Sequence, residues 1–384
     1  MIYIHIPFCR SFCTYCGFYS EAVPVCIAQK QAADEEARFS SYAEAVASEA
    51  QKRAEEIRAT LPKDCFSEKV DTLYVGGGTP SVLPPSVFSA LVRGVNNAVF
   101  GQELHDYPEF TVEVNPEDIV ERGAEYLEFL RELGVNRISM GVQSFDDRVL
   151  KWMNRRHSAE HAERAFWMLR DAGFRNISID LIYGIGGMSD ESWEMTVHKA
   201  ISLSPSHISA YQLSVEDGSA LARMAVSGKY AEAADETCRH QYEVLCSLLS
   251  DMGYRHYEVS NFAYPGFEAM HNSAYWRRVP YTGLGAGAHS AVAGPDGKVS
   301  IRRWNSETEK GYAPEQEILT ESNMLMEKIM LGLRADTGVE LSCLPKRQAE
   351  ILLEKGALEM TPDGKARIPE DRFFVSDEII RELV

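Results

Sequence analysis

The sequence predicts an α/β protein: a partial (β/α)6 barrel followed by a smaller C-terminal domain of α+β or helical character. Three observations predict it. Six short segments with strand character recur through the first 215 residues, helical patterns separate them, and alternate positions within the strands divide into an apolar and a polar face.

The strand segments are "IYIHI" (2–6), "DTLYVGG" (71–77), "FTVEVN" (110–115), "RISMGVQS" (137–144), "NISIDLIYG" (176–184) and "HISAYQLS" (207–214). Between them lie helical patterns such as "VERGAEYLEFLRELG" and "AEHAERAFWMLRDAG", each ending near a glycine that suits a helix C-cap. Strand and helix alternating at this spacing imply parallel βαβ units. An open sheet covered on both sides would carry continuous apolar strands. These strands alternate instead. Ile2, Ile4 and Ile6 oppose Tyr3 and His5, and Val112 and Val114 oppose Thr111, Glu113 and Asn115. Ile138, Met140 and Val142 oppose Ser139, Gly141 and Gln143, while Ile177, Ile179 and Leu181 oppose Asn176, Ser178 and Asp180. The apolar faces would pack on helices, and the polar faces would line the interior of a TIM-like barrel wide enough for ligands. In such barrels the functional residues gather at the C-terminal ends of the strands.

Residues 1–235 are expected to form the core barrel. Residues 236–315, rich in Gly, His and aromatics through "HNSAYWRRVPYTGLGAGAHSAV", form a connecting region, and 316–384 a small helical domain, winged in one reading. The Ala/Glu-rich stretch 31–60 reads as one long solvated helix.

Among the 384 residues, 57 acidic and 39 basic side chains give a net charge of −18, which repels a phosphate backbone and excludes nucleic acid as an expected partner. No apolar run is long enough for a transmembrane segment, and "MIYIHIPFC" carries no basic leader; a cytoplasmic location is expected. Five of the eight cysteines, Cys26, Cys65, Cys238, Cys246 and Cys343, are scattered without metal-ligand spacing. Disulfides are not indicated.

The remaining three, Cys9, Cys13 and Cys16, form a C-x3-C-x2-C run just after the first strand. A zinc site would need a fourth Cys or His. A four-iron cluster on three thiolates would leave one iron with an open position. "GGGTP" (76–80) follows the second strand, where a tight turn alone would account for it, and Glu113, Gln143 and Asp180 sit late in theirs. All point to one barrel mouth. Carboxylates on an inward face need a partner, since burying them without one costs several kcal/mol, roughly.

C-x3-C-x2-C with its neighbouring aromatic resembles the signature of the radical S-adenosylmethionine (SAM) superfamily. The resemblance implies a 4Fe-4S cluster on Cys9, Cys13 and Cys16, whose open iron holds SAM and whose electron cleaves its sulfonium. It also implies SAM contacts from Gly77, Gly78, Thr79, Glu113, Gln143 and Asp180, with Tyr3 and an arginine of "NRRHS", Arg155 before Arg156. No catalytic side chain is assigned.

Within the superfamily, "YIHIPFC", "DLIYGI", "HISAYQLSVEDG", "YEVSNFA", "HNSAYW" and "GLGAGAHS" resemble the group that holds oxygen-independent coproporphyrinogen III oxidase and the heme chaperone HemW. Three features favour the HemW branch: Phe18 where the oxidase has a further cysteine, no counterpart of its N-terminal extension, and "HNSAYW" (271–276), which matches a heme-associated H-N-x-x-Y-W motif. The resemblance implies heme binding, with His271 as axial ligand and Tyr275 and Trp276 as flat apolar surface; His289 is a weaker second candidate. The expected partners are heme-accepting proteins such as respiratory cytochromes or oxidases, and an electron donor for the cluster. The alternative is an enzyme of the same group that oxidatively decarboxylates coproporphyrinogen III or otherwise modifies a tetrapyrrole. Departures from the pattern are "YGIGGMSD" in place of a proline-containing turn, and Cys26, to which no role is assigned.

Overall fold

The computed structural model describes residues 1–23, 29–62, 69–294, 297–308 and 314–384; Cys26 and Cys65 lie outside the described residues. Six strands form where the alternation places them: β1 (Ile2–Ile6), β2 (Thr72–Gly77), β3 (Glu109–Val114), β4 (Arg137–Gln143), β5 (Asn176–Tyr183) and β6 (His207–Gln212). They pair in chain order and in parallel. Three further strands, β7 (Arg255–Glu258), β8 (Asn261–Ala263) and β9 (Thr282–Leu284), come from the 236–315 segment and extend the same sheet. The nine-stranded order is β9-β1-β2-β3-β4-β5-β6-β8-β7, with β9 parallel to β1 and β8 antiparallel to both β6 and β7. Among the described residues no pairing joins β7 to β9, so the sheet curves without closing.

The division of faces is as the sequence implies. Ile2, Ile4, Ile6, Val112, Ile138, Met140, Val142, Ile177, Ile179 and Leu181 are all fully buried in one continuous apolar core beneath the helices. Each such side chain contributes about 1.5–3 kcal/mol of transfer free energy, enough to fix the register, because a one-residue slip would turn the whole apolar set inward. The helices follow from local chemistry. Pro116–Glu132 begins on a proline at its first position, and Ser158 caps Ala159–Asp171 by accepting from the His161 amide. Gly134 and Gly173, at φ 94° and 92°, end these two helices in the left-handed conformation glycine adopts freely.

The stretch 31–60 differs from expectation. It forms two helices, Gln29–Lys52 and Ala54–Thr60, and neither is solvated all round. Phe39, Tyr42, Val46, Ala50 and Ile57 are buried. Their spacing is a helical stripe that the Ala/Glu-rich composition conceals. Arg53 sits at the break, and its guanidinium binds Glu49, Glu56 and the Gly283 carbonyl of β9.

The C-terminal region combines helices Glu321–Gly332, Lys346–Glu354 and Ser376–Arg381 with a small sheet ordered Val339–Glu340, Lys365–Arg367, Glu359–Met360. Its buried residues Ile329, Leu333, Leu352 and Phe373 join the main core. No helix of the described residues is long and apolar enough to cross a membrane.

Candidate functional site

Directly after β1 the chain turns across the mouth. Phe8–Cys9 pairs with Glu21–Ala22, so residues 10–20 form a closed loop that carries Cys13 and Cys16, with Cys9 at its base. Two distant segments strap it down. The Thr14 amide donates to the Met153 carbonyl at 3.1 Å and its hydroxyl to Trp152 O at 3.0 Å; Asn154 Nδ2 donates to Phe12 O at 2.7 Å; and the Leu221 amide donates to Thr14 O at 2.8 Å.

Cys9, Cys13 and Cys16 are free, half-buried and face one cavity of about 640 Å³. Burial pushes the Cys9 thiol up and the Cys16 thiol up to about 11, so both favour the protonated form until a cation arrives. Among the described residues no group of three His, Cys, Asp or Glu converges as the ligands of a single metal ion would. A four-iron cluster asks for something different, one soft thiolate on each of three irons, and three cysteines spread along one loop around a common cavity fit it.

The glycine loop lies against this cysteine loop. Gly78 donates its amide to Ile6 O at 2.7 Å and Thr79 donates to Phe8 O at 2.8 Å. A Cβ on Gly78 would stand 2.8 Å from both Ile6 O and Phe8 O, so the two loops touch only because that residue has no side chain. Gly77 adopts φ 108°, and its amide donates to Glu113 Oε2 at 3.1 Å. Glu113 Oε1 accepts from the Tyr74 hydroxyl at 2.7 Å. Burial raises the Glu113 carboxyl to about 7 despite these two donors, with Asp180 adding to the rise.

Arg155 closes the other side. It is partly buried; Nη1 lies 3.2 Å from Cys13 Sγ, and Nη2 donates to Asn115 Oδ1 at 2.5 Å and to Gly141 O at 2.7 Å. Its Nε has no partner. Arg156 lines the same cavity, with its guanidinium held in ion pairs with Glu117 and Asp118 at 2.6 and 2.7 Å. Asp180 accepts from Ser139 at 2.9 Å and Ser178 at 3.1 Å, and burial raises its carboxyl. Gln143, at φ 67°, faces the same cavity. The structure thus gathers Cys9, Cys13, Cys16, Gly77, Gly78, Thr79, Glu113, Gln143, Arg155 and Asp180 around the mouth. Tyr3 does not line it; its hydroxyl bonds His5 Nδ1 at 3.0 Å, one layer deeper.

That deeper layer is a second chamber of about 520 Å³ inside the barrel. Gly17, Phe18, Tyr74, Glu113, Ser139 and Tyr211 line both cavities, so the chamber lies directly against the mouth. His271 and Tyr275 are on its wall, and Trp276 is not. His271 is 1% exposed, with Nδ1 bonded to Thr72 Oγ1 at 2.8 Å and Nε2 to the Tyr275 hydroxyl at 2.9 Å. A neutral imidazole has one donor and one acceptor nitrogen, and both are committed here. The expected axial lone pair is therefore tied up in the wall. His289, by contrast, is an exposed imidazole on the same chamber, stacked on Trp304.

Sequence reasoning missed Tyr74, Asn115 and Tyr211. Tyr74 was within reach, because Thr72, Tyr74 and Gly76 share the inward face of β2 by simple alternation. Asn115 is legible only once Arg155 is known to meet it.

A family model described as the radical SAM superfamily matches residues 3–200. A protein of Lactococcus lactis named heme chaperone HemW is 35% identical over 341 residues, covering 88% of this chain and 82% of that one. A protein of Escherichia coli with the same name is 32% identical, covering 81% and 75%. The mitochondrial radical S-adenosyl methionine domain-containing protein 1 of Danio rerio is 30% identical, covering 98% and 82%. The solved structure of the E. coli coproporphyrinogen III oxidase HemN, described as a radical SAM enzyme, superposes with a TM-score of 0.75 at 21% identity, over 99% of this chain and 89% of that one. At that identity the likeness shows the fold.

Proposed function

The chain belongs to the radical SAM superfamily, in the branch of its HemW relatives, and from that premise we propose that it binds a 4Fe-4S cluster and SAM at the mouth and a tetrapyrrole in the chamber beneath. Cys9, Cys13 and Cys16 would hold the cluster, which with SAM supplies one-electron cleavage of a sulfonium bond. Arg155 sets a positive charge beside the sulfur of Cys13. Gly77 and Gly78 allow a ligand's close approach, and Glu113, Gln143 and Asp180 offer acceptors to its ammonium and hydroxyl groups. The observation that carries the proposal is the wall shared by mouth and chamber, which would set a second ligand against the SAM site.

Two outcomes for the tetrapyrrole each have an observation in their favour. The shared wall favours chemistry on it, the modification of coproporphyrinogen III or a related tetrapyrrole by the SAM-derived radical. The names of the relatives favour carriage of heme to acceptor hemoproteins, and Phe18 in the place of the oxidase branch's further cysteine agrees with them. In the carriage reading the imidazole that the chamber offers to iron is His289 rather than His271.

One experiment tests the proposal and separates the outcomes. The chain is reconstituted anaerobically, then incubated with SAM and reductant plus either coproporphyrinogen III or heme. Turnover to protoporphyrinogen establishes the enzyme; stoichiometric heme uptake without turnover establishes the carrier; binding of neither overturns the tetrapyrrole reading.

A further inference from the structure

The inner chamber is lined with tyrosines, serines and histidines, and among its described lining residues it holds a single fixed cation, Arg137. Arg137 starts β4, at the end far from the mouth, and is 3% exposed. Its Nε stands 3.9 Å from Glu109 Oε2, beyond hydrogen-bond reach, and is itself unpartnered. No guanidinium nitrogen of Arg137 bonds any described residue. Glu109 is engaged elsewhere, since its two oxygens accept the amides of Met270 and His271 at 2.8 and 2.9 Å. Other acceptors nearby are taken as well. His207 bonds Ser178 through Nδ1 and Tyr257 through Nε2, both at 2.8 Å, and burial holds its imidazole neutral.

A buried guanidinium normally finds partners for its N–H groups, because leaving them unmade forfeits hydration without return. Here the fork opens into a cavity instead. We propose that Arg137 receives a carboxylate of the chamber's ligand, which fixes the ligand's depth in the barrel. This rests on the tetrapyrrole reading, in which the carboxylate is that of a propionate side chain. A planar guanidinium matches a carboxylate in two parallel bonds. A monoanion suits the site better than a phosphate dianion, because Glu109 already stands beside the guanidinium and repels a second negative charge. The spacing is also apt. Arg137 and Gly141 are four residues apart on β4, so a ligand anchored at Arg137 must reach about 13 Å to meet the mouth, and Ser139 lies on the wall between the two.

The test compares protoporphyrin IX with its dimethyl ester, and propionate with propionamide, on the reconstituted full chain. Wild type should bind the acid about ten- to a hundredfold more tightly than the ester, as a charge-assisted bidentate contact provides. Arg137→Gln should lose that preference and Arg137→Lys should keep part of it. Because Arg137→Gln strands Glu109 and can unfold, the Arg137→Gln/Glu109→Gln double variant supplies the same comparison with both charges removed. Equal binding of acid and ester by wild type, or an unchanged preference in both glutamine variants, overturns the inference while the tetrapyrrole reading stands. If no porphyrin binds wild type, that reading falls, and the small probes decide Arg137. A thermal shift by propionate but not propionamide, lost in the variants, supports the carboxylate site, and no shift refutes it.

Discussion

Nη1 of Arg155 stands 3.2 Å from the sulfur of Cys13, and the other arm of the same guanidinium is fixed by Asn115 and the Gly141 carbonyl. The positive charge is thus held in place by β4 and by the residue that follows β3, independently of whatever the sulfur binds. Replacing Arg155 with methionine should leave the barrel folded and weaken cluster retention about tenfold or more, the scale of a charge-assisted bond. Iron per chain after gel filtration measures this. Cys13→Ser should abolish loading; full loading in a triple serine variant of Cys9, Cys13 and Cys16 would sink the assignment.

Gly78 sets the gap between the two mouth loops. With Ile6 O and Phe8 O each 2.8 Å from where a Cβ would lie, Gly78→Ala should displace the cysteine loop and cut iron loading severely. Circular dichroism should show the helices unchanged. Wild-type loading in that variant would mean the contact is not needed.

Glu113 gives the apo protein a pH signature. Its carboxyl is raised from 4.5 to about 7, chiefly by burial. Between those values the folded chain keeps a proton that the unfolded chain has released, so stability falls as pH rises through the window, by no more than about 3 kcal/mol. Melting curves from pH 4.5 to 7.5 should show this decline in wild type and a flatter profile in Glu113→Gln. Identical slopes would show that Glu113 titrates normally.

SAM affinity should separate Asp180 from its donors. Asp180→Asn removes the charge but keeps a side chain that Ser139 can still bond, and should weaken SAM binding at least tenfold with the cluster intact. Calorimetry on the reconstituted protein reads this directly. Unchanged affinity in both Asp180→Asn and Glu113→Gln would move the SAM site elsewhere.

Heme spectra distinguish the two imidazoles. If heme binds, His271→Gln should leave the Soret band where it is, since both ring nitrogens already serve Thr72 and Tyr275. His289→Ala should shift or remove it. The reverse pattern would show that the Tyr275 bond breaks on heme entry.

The barrel was legible because its strands alternate strictly: an inward Glu113 or Asp180 between buried aliphatics is readable one residue at a time. The cysteines were legible by spacing. The helices at 29–60 were misjudged because alanine, which carries the stripe past Tyr42 and Val46 to Ala50, suits a buried face and a solvated one equally. His271 exposes a different limit. A motif identifies a residue type, whereas its free valence depends on Thr72, almost two hundred residues away in the chain. Arg137 was invisible for the same reason, since only the fold reveals that among the described residues no hydrogen bond reaches its guanidinium.

The straps on the cysteine loop fix an order of maturation. Thr14 and Phe12 are held by residues 152 to 154, made after four strands of the sheet, and Thr14 again by Leu221, made after the sixth. A nascent chain still lacking those residues has the three thiols but nothing to hold them in a common arc. On the proposed function, iron and sulfide would therefore enter a barrel that is already built, and metal loading would report on the completed chain as a seal does on a closed vessel.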